Sequence, residues 1–529
     1  MNLTLSLSRA IAVFPEREAV VDGQFAATYQ QLGERVSALC HALLGMNVVT
    51  GEVVGIIAPN GHEFLEAYYA CAVLGLVLNP INFRLSAREI GGILEDSDAR
   101  ILVAHTDFTN LVVDSIAQPF ALKLKEIVWF GSGQRTQLEA CAHDYENLIA
   151  GNAGKQLPEC AVEGSDLAHL YYTSGTTGKS KGVMLTQENV TFHALASVAE
   201  LSLTDSDTWA HIGPMFHLLD AWAVFACTWA GARHTFAPYF KADEVLLLIE
   251  QQKVTITALV PTMLNAMLNE PDIEKRDLTS LRLLLTAGSP IAPEVVKKAV
   301  NIFGCDYWQF YGMTETSPFL TISKPKAHMA NWSTDRLLNV VSRTGRTFIG
   351  VELKIVRPDG SEVEHNDRDV GEIIVRGPSV TQGYWRQPAA TANAIENGWL
   401  HTGDLAVIDE EGYVNIVDRK KDMIITGGEN VYSTEVEYVL YEHPSIVECA
   451  VFGIPDDQWG ETVKAVVVPK PGVKISEGEL IAFVKERLAS YKAPRSIEFA
   501  EELPKTGSGK IYKKGLREKY WQSLERQVH

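Results

Sequence analysis

Residues 171–182 read Tyr-Tyr-Thr-Ser-Gly-Thr-Thr-Gly-Lys-Ser-Lys-Gly and lie between apolar, strand-like segments. The three glycines let the backbone approach a ligand closely and turn its N–H groups inward as an anion-binding nest. The hydroxyl groups add hydrogen-bond donors, and the two lysines add positive charge for phosphate oxygens. Flexible surface loops are seldom this dense in hydroxyls and lysines, so the segment predicts a phosphate-binding loop.

This loop differs from the kinase-type P-loop, G-x-x-x-x-G-K-[ST]. Gly178, Lys179 and Ser180 match the end of that pattern, but its first glycine would fall at position 173, which is threonine. The kinase-type motif therefore fails at a required position. Lys181, two residues further on, indicates a different phosphate cradle.

Outward from the loop, strand-like runs alternate with longer helical patterns up to about residue 340. This alternation predicts parallel sheets with helical crossovers. Residues 350–418 change to short strands separated by turns, which predicts an antiparallel or barrel-like insert. The predicted strands are 53–58, 101–104, 256–260 and 281–286, and the predicted helices are 63–78 and 294–303.

The remaining residues mix predicted strands 449–453 and 462–468 with predicted helices 433–441 and 477–489. We therefore expect an α/β protein with two domains. Residues 1–418 form a large N-terminal domain of several subdomains, with parallel sheets, helices and the barrel-like insert. Residues 419–529 form a small, mobile α+β C-terminal domain.

The bulk composition agrees with a multidomain soluble protein, because 529 residues are too many for one compact core. The apolar runs 67–78 and 221–232 are too short to span a membrane, so both are expected to be buried and no integral membrane segment is expected. The first residues resemble no secretory signal, and the last four match no lipidation or peroxisomal signal. The expected location is the cytoplasm.

Charge and cysteine usage exclude some functions. The net charge of −19 makes nucleic acid an improbable partner. The seven cysteines are scattered without a C-x-x-C pair, which argues against a structural zinc site or disulfides and for a reducing compartment. One basic cluster stands near the end and is either a solvated face or a site for a phosphate-rich ligand. It comprises Lys505, Lys510, Lys513, Lys514, Arg517 and Lys519.

Four further motifs suit a nucleotide, although each is weak alone. Residues 309–316, Gln-Phe-Tyr-Gly-Met-Thr-Glu-Thr, combine an aromatic that covers a base with a carboxylate for Mg²⁺. Residues 402–404, Thr-Gly-Asp, place a carboxylate for ribose hydroxyls. Residues 418–422, Asp-Arg-Lys-Lys-Asp, form a charge run at the domain junction. Residues 504–510, Pro-Lys-Thr-Gly-Ser-Gly-Lys, put a lysine on a glycine-rich loop.

In this order, and together with Gly-Gly-Glu-Asn at 427–430, the motifs resemble the adenylate-forming superfamily. That superfamily includes acyl- and aryl-CoA synthetases, firefly luciferase and peptide-synthetase adenylation domains. The resemblance runs from about residue 25 to about residue 520. One departure is Ser180, where the family usually has proline, and little effect is expected because the backbone can turn there without it.

The resemblance implies a role for each motif in binding ATP, Mg²⁺ and coenzyme A. Glu315 and Thr176 would hold Mg²⁺, Lys421 would be the interdomain hinge, and Gly427 and Gly428 would line the path of the CoA thiol. Lys510 would bridge the acid carboxylate and the α-phosphate, with Thr314 at the α-phosphate; these two, Glu315 and His217 are the catalytic candidates. The nucleotide would contact Thr173, Ser174, Gly175, Thr176, Thr177, Gly178, Lys181, Ala287, Gly288, Ser289, Gln309, Tyr311, Gly312, Thr314, Asp404 and Arg419.

The resemblance implies an acid pocket with an apolar lining, which favours a fatty (medium- or long-chain) or aromatic acid over an amino acid. Its residues would be Phe216, His217, Trp222, Gly288, Gly312, Ser317, Pro318 and Phe319. A lone histidine such as His217 is more often a packed or gating residue than a catalytic one. Asp220 is the only carboxylate nearby and leaves an amino acid as the less favoured alternative.

Three classes of function remain open. The favoured one is an ATP-dependent carboxylic acid–CoA ligase that forms an acyl-AMP intermediate and releases pyrophosphate, with a homodimer as an assembly to test. The second is a stand-alone adenylation enzyme that loads a separate carrier protein, or a luciferase-like oxygenase that uses the same adenylate. The third is a nucleotide sensor without catalysis, and the presence of Lys510, Glu315 and Asp404 argues against it.

Overall fold

A computed structural model describes residues 1–133, 141–173, 180–289, 291, 293–505 and 511–521. The core of the predicted phosphate loop and Lys510 lie outside these residues. Within them, no helix combines the length and apolarity that crossing a bilayer requires.

The strands, in chain order, are β1 (Glu18–Asp22), β2 (Phe25–Thr28), β3 (Val53–Ile57), β4 (Val77–Pro80), β5 (Ile101–His105), β6 (Glu126–Phe130), β7 (Cys141–Asp144), β8 (Leu167–Thr173), β9 (Lys181–Thr186), β10 (Thr208–His211), β11 (Arg233–Phe236), β12 (Ile256–Leu259), β13 (Leu283–Ala287), β14 (Asp306–Gly312), β15 (Phe319–Ile322), β16 (Arg346–Thr347), β17 (Glu352–Val356), β18 (Gly371–Arg376), β19 (Ile395–Glu396), β20 (Trp399–Ile408), β21 (Val414–Arg419), β22 (Ile424–Thr426), β23 (Glu429–Val431), β24 (Ile446–Asp456), β25 (Gly460–Pro469) and β26 (Ser496–Phe499).

The α-helices, in the same order, are α1 (Thr4–Val13), α2 (Tyr29–Gly45), α3 (His62–Leu74), α4 (Ala87–Asp96), α5 (Thr109–Ile116), α6 (Tyr145–Gly151), α7 (Gln187–Leu201), α8 (Leu218–Ala230), α9 (Ala242–Gln252), α10 (Pro261–Leu268), α11 (Pro293–Phe303), α12 (Thr334–Val341), α13 (Pro388–Ala394), α14 (Ser433–Tyr441), α15 (Glu477–Lys485) and α16 (Lys513–Trp521). Short 3₁₀ turns lie at Thr106–Phe108, Ile273–Lys275, Thr314–Thr316 and Ala327–Asn331.

Two largely parallel sheets form the large N-terminal domain. One has nine strands in the order β16-β15-β14-β13-β12-β10-β11-β1-β2, and the other has seven in the order β7-β6-β5-β3-β4-β8-β9. In the nine-stranded sheet, β10, β11, β12, β13 and β14 run parallel, so their carboxyl ends meet at one edge. In open α/β sheets this edge is where ligands bind.

The later parts of the chain form two smaller sheets. Strands β17–β21 form the insert, and their pairings are antiparallel, as predicted. Strands β22–β26 and helices α14–α16 form the small C-terminal domain, whose hydrophobic cores are separate from those of the large domain. The predicted α/β fold with a large and a small domain is confirmed.

The predicted strands at 53–58, 101–104, 256–260 and 281–286 correspond to β3, β5, β12 and β13. The predicted helix 63–78 is too long, because α3 ends at Leu74. Gly75 follows in the left-handed conformation (φ +63°), which glycine adopts without steric cost and which terminates a helix. Residues 77–80 then form β4, so the apolar run contains a helix and a strand, both buried as expected.

Candidate active site

The carboxyl ends of β13 and β14 bring together two of the predicted nucleotide motifs. Ala287 pairs with Phe310, so the segment that follows Ala287 lies beside Tyr311 and Gly312. Gly288 has φ +95° and is exposed, and Ser289 is half-buried. The backbone of Gly288 and the side chain of Ser289 are therefore accessible to a ligand at the sheet edge.

Gly312 occupies a point where two strands approach closely. A Cβ atom at this position would lie 1.8 Å from the carbonyl oxygen of Pro318. No side chain larger than hydrogen fits there without movement of the backbone. This contact requires glycine at the end of β14 and fixes the start of the turn that carries Thr314 and Glu315.

Tyr311, Asp404 and Arg419 form a linked polar group. The Tyr311 hydroxyl donates a hydrogen bond to Asp404 Oδ2 at 2.7 Å. Asp404 pairs with Arg419 across β20 and β21, and its Oδ1 lies 3.4 Å from Arg419 Nε. Burial and the nearby Asp404 carboxylate raise the pKa of Tyr311, so its hydroxyl stays protonated. The group joins the nine-stranded sheet to the insert at the domain junction.

Glu315 is a buried carboxylate in the 3₁₀ turn Thr314–Thr316, and burial raises its pKa. The Tyr384 hydroxyl donates to Glu315 Oε1 at 2.9 Å. Lys181 Nζ lies 4.8 Å from the centre of the Tyr384 ring, and Lys181 pairs with Thr173 across β8 and β9. The two residues that flank the predicted phosphate loop are thus cross-strand partners near Glu315.

Sequence reasoning missed Tyr384. It lies between β18 and α13 in no recognised motif, and the order of residues alone gives no sign that it meets Glu315. Among the predicted residues, Thr314 is half-buried in the same turn.

Gln309 lies two residues before Tyr311 on β14, so both side chains project from the same face of the sheet. Gln309 is buried, and within the described part of the chain its Oε1 has no hydrogen-bond partner. Buried polar atoms in proteins are normally paired. This buried amide oxygen therefore lacks the donor that such an atom normally has.

The segment predicted to contact the acid lies between β10 and α8. His217 immediately precedes α8, is half-buried, and its Nδ1 accepts a hydrogen bond from the Leu219 backbone N–H at 3.0 Å. Because β10 lies beside β12 in the nine-stranded sheet, the segment follows a strand that ends at the same edge as Gly288 and Gly312.

One expectation for the acid pocket was wrong, and the less favoured alternative of an amino acid loses its support. Trp222 and Phe319 are 1% and 2% exposed and pack against each other with ring centres 5.1 Å apart, so they support the site from behind and line no open space. Asp220 is fully buried, with hydrogen bonds to Trp209 and His211. It therefore offers no carboxylate to the ammonium group of an amino acid.

Gly427 and Gly428 form the tip of the β22–β23 hairpin in the small domain. Both are exposed and have positive φ values of +60° and +85°. The Trp459 ring lies against Gly427, where a Cβ atom would come within 2.6 Å of Trp459 Cε3. At Gly428, no atom of the described residues lies within 4 Å of the position that a Cβ would take. Lys421, the predicted hinge residue, lies just before this hairpin, between β21 and β22.

The basic cluster near the end of the chain, for which a solvated face and a phosphate site were both open, is ion-paired in the structure. Each of its described lysines and arginines is within ion-pair distance of an acidic residue, so the charge of the cluster is largely compensated within the domain. The pairs are Lys505 with Glu448, Lys513 with Glu437, Lys514 with Glu518, Arg517 with Asp422 and Lys519 with Glu498.

Several predicted residues lie outside the described residues, namely Ser174, Gly175, Thr176, Thr177, Gly178 and Lys510. For the others, the structure places Gly288, Gln309, Tyr311, Gly312, Thr314, Glu315, Lys181, Asp404 and Arg419 around one edge of the nine-stranded sheet and its junction with the insert.

Comparison with known families agrees with this geometry. Residues 7–385 match the model of the AMP-binding enzyme family, and residues 435–510 match the AMP-binding enzyme C-terminal domain. The chain therefore belongs to the AMP-binding enzyme family.

Individual relatives match over almost the whole chain. A feruloyl-CoA synthase from Amycolatopsis sp. is 36% identical over 97% of this chain and 98% of its own length. A fatty acid–[acyl-carrier-protein] ligase, ScoC, from Streptomyces coeruleorubidus is 33% identical over 97% and 96%. Among solved structures, the anthranilate CoA ligase AuaEII in complex with anthranoyl-AMP superposes with a TM-score of 0.88, at 28% identity and over 98% and 97% of the two chains.

Proposed function

We propose that this protein is an ATP-dependent carboxylic acid–CoA ligase that forms an acyl-AMP intermediate from a fatty or aromatic acid. The observation that carries the proposal is the meeting of Tyr311, Asp404 and Arg419 at the sheet edge, beside Glu315 and the strand pair that flanks the predicted phosphate loop. The names of relatives that match end to end, a feruloyl-CoA synthase and an anthranilate CoA ligase, support the reaction class.

The nucleotide contacts follow from the polar groups at this edge. The Asp404 carboxylate can accept bonds from ribose hydroxyls, and the face of Tyr311 can cover the adenine. Gln309 Oε1 has no hydrogen-bond partner among the described residues, and the exocyclic amino group of adenine would supply a donor for this buried acceptor. Lys181 and residues 173–179 would bind the β- and γ-phosphates.

Mg²⁺ fits the donor set at Glu315. Burial raises the pKa of this carboxylate, so a cation beside it would relieve the cost of its charge, and Tyr384 fixes one of its oxygens. When bound, the ion would neutralise phosphate charge as the α-phosphate is attacked. Thr176 is the second proposed ligand.

Adenylation proceeds by attack of an acid oxygen on the α-phosphorus, with cleavage of the bond to the β-phosphate oxygen and loss of pyrophosphate. The barrier is largely electrostatic, because an anion approaches an anion. We assign Lys510 to bridge the carboxylate and the α-phosphate, with Thr314 at the α-phosphate, because charge there is neutralised where it develops. The CoA thiol sulfur then attacks the acyl carbon and AMP leaves with the bonding electrons.

Thioester formation, the second step, would involve movement of the small domain. We place the boundary between the two domains at residues 418 and 419. Rotation about Lys421 would withdraw Lys510 and bring Gly427 and Gly428 to the site. The open space around Gly428 supports passage of a pantetheine arm. A cytoplasmic location and a homodimer belong to the same proposal; the described cysteines are free thiols, which supports a reducing compartment.

The acid is proposed to be apolar because the buried Asp220 is engaged with Trp209 and His211 and is not available to an ammonium group. His217 would contact the acid as a gating residue. A second candidate acceptor is a carrier protein, which the similarity to a fatty acid–[acyl-carrier-protein] ligase supports.

Pyrophosphate release tests the proposal, measured with ATP and Mg²⁺ across fatty, aryl, short-chain and amino acids, with and without CoA. Multiple turnovers that require CoA for one apolar acid class are expected. Release that stops near one turnover despite CoA would favour a carrier protein, and absence of release with every acid would contradict the proposal. Lys510→Ala should lose adenylation yet convert supplied acyl-AMP and CoA to the thioester.

A further inference from the structure

The loop formed by residues 212–217, which we name the acid loop, is closed at its base by buried side chains outside it. His211 stands at its start and Asp220 lies just beyond its end, and His211 Nδ1 is 2.5 Å from Asp220 Oδ2. Trp209 Nε1 donates to Asp220 Oδ1 at 3.0 Å. All three side chains are at most 1% exposed. The end of β10 is thus tied directly to the first turn of α8.

The hydrogen positions in this group can be deduced in sequence. The Thr228 hydroxyl must donate to the Val224 carbonyl at 2.8 Å, so it accepts from His234 Nε2 at 3.2 Å. His234 Nδ1 then accepts from His211 Nε2 at 2.9 Å. The contact between His211 Nδ1 and Asp220 Oδ2 completes this chain of hydrogen bonds, so each of its side chains has a polar partner.

A second buried residue holds the acid loop from the seven-stranded sheet. Asn60, which follows β3, accepts from the Met215 backbone N–H at 2.8 Å through Oδ1. Its Nδ2 lies 2.9 Å from Gly213 O and 3.1 Å from both His211 O and Ala237 O. Asn60 is 6% exposed. The loop is therefore fixed from two sides by residues that belong to different sheets.

We propose that Asp220 and Asn60 are positioning residues that set the conformation of the acid loop and thereby the affinity for the carboxylic acid. This inference rests on the proposed function. Burying a polar group costs free energy unless the group is hydrogen-bonded, so a loop conformation that broke these bonds would be unfavourable. Asp220 is also coupled to His217 through the backbone, because its N–H donates to the His217 carbonyl at 3.2 Å. Neither side chain needs to touch the acid.

The test compares steady-state KM values for the acid and for ATP, together with the fraction of active sites from the acyl-AMP burst. Asp220→Leu keeps the branched shape of the side chain, with larger methyl groups in place of the oxygens, and leaves Trp209 and His211 without their partner. We expect the acid KM to rise roughly 10- to 100-fold with the ATP KM unchanged. Asp220→Asn should keep the wild-type acid KM, because its oxygen can accept from Trp209 and its amide can donate to His211. Asn60→Ala should raise the acid KM in the same way.

The matched control is Asp207→Asn. Asp207 is also buried and polar, but it lies before the amino end of β10, where it binds Arg282. This variant should lose thermal stability and keep both KM values. A loss of active sites in Asp220→Leu with unchanged KM values, or equal changes in the acid and ATP KM values, would overturn the proposal.

If Asp220→Leu gives no folded protein, Trp209→Phe decides. It removes one hydrogen bond to Asp220 and keeps an aromatic ring, and the acid KM should still rise severalfold; a wild-type value would overturn the proposal. Activity of the wild-type chain distinguishes failure of the proposed function from failure of this inference. If no acid is turned over, the proposed function fails and this inference with it. If the wild type is active, the variants test the inference alone.

Discussion

Replacing Gly312 by alanine tests how closely two strands must approach at the candidate ATP site. The new Cβ would lie 1.8 Å from Pro318 O, 2.7 Å from Pro318 C and 2.9 Å from Phe319 Cα. These are backbone atoms, so no side-chain rotation can relieve the overlap. Because non-bonded atoms of this kind settle near about 3.5 Å, the two backbone segments must separate by about 1.7 Å.

The displacement reaches the proposed catalytic groups. Tyr311 pairs with Thr321 and Gly312 with Phe319, so a shift at Gly312 moves the Tyr311 hydroxyl and the turn that carries Glu315. Overpacking of this kind costs about 1–3 kcal/mol in the free energy of unfolding. A misplacement of about 1 Å can slow a reaction roughly 100-fold. We therefore expect kcat/KM for adenylation to fall roughly 100-fold, with a lower Tm.

The assay is single-turnover formation of acyl-AMP, normalised to the folded fraction, alongside thermal unfolding. Gly45→Ala is the matched control, because Gly45 ends α2 and no atom in the described part of the chain lies within 4 Å of the position that its Cβ would take. It should leave both rate and Tm near the wild-type values. An unaltered adenylation rate per folded molecule in Gly312→Ala would refute the argument that this close approach positions the site.

Two further substitutions test separate parts of the site. Tyr384→Phe removes the hydrogen bond to Glu315 and should raise the Mg²⁺ concentration for half-maximal pyrophosphate release about tenfold or more. The control Tyr413→Phe loses a hydrogen bond to the Lys324 backbone carbonyl and should leave this Mg²⁺ concentration unchanged. Equal responses of the two variants would contradict a role of Tyr384 at the metal. Gly428→Leu should spare adenylation and lower acyl-CoA formation by roughly 100-fold, whereas Gly472→Leu, at a similar φ of +77° in open space, should change neither. Loss of both steps in Gly428→Leu would remove this residue from the thiol path.

Sequence patterns predicted much of the fold because its signals are local. Apolar runs of four to six residues marked β3, β5, β12 and β13, and Pro293 marked the start of α11. The predicted helix 63–78 was too long, although the sequence contains the signal for its end, since Gly75 interrupts an otherwise apolar run. Apolar character alone does not distinguish a buried helix from the buried strand that follows it.

The side chains of the site were predictable where they belong to motifs, and their partners were not. Tyr311 bonds Asp404 across 93 residues, and Tyr384 bonds Glu315 across 69. Such pairs depend on how sheets and insert pack together, which no short pattern contains. Most ion pairs of the basic cluster were unpredictable for the same reason, because acids such as Glu448 and Glu498 come from other elements of the small domain.

The position of Asp220 in the fold changes the functional interpretation of its carboxylate. Considered by spacing alone, it is a carboxylate three residues beyond His217 and a candidate partner for an ammonium group. In the fold it turns inward from the first turn of α8 and meets Trp209 and His211 on the strand that precedes the acid loop. The same carboxylate then argues against an amino acid substrate. Its bonds to both residues tie the end of β10 to the start of α8, across the loop that joins them.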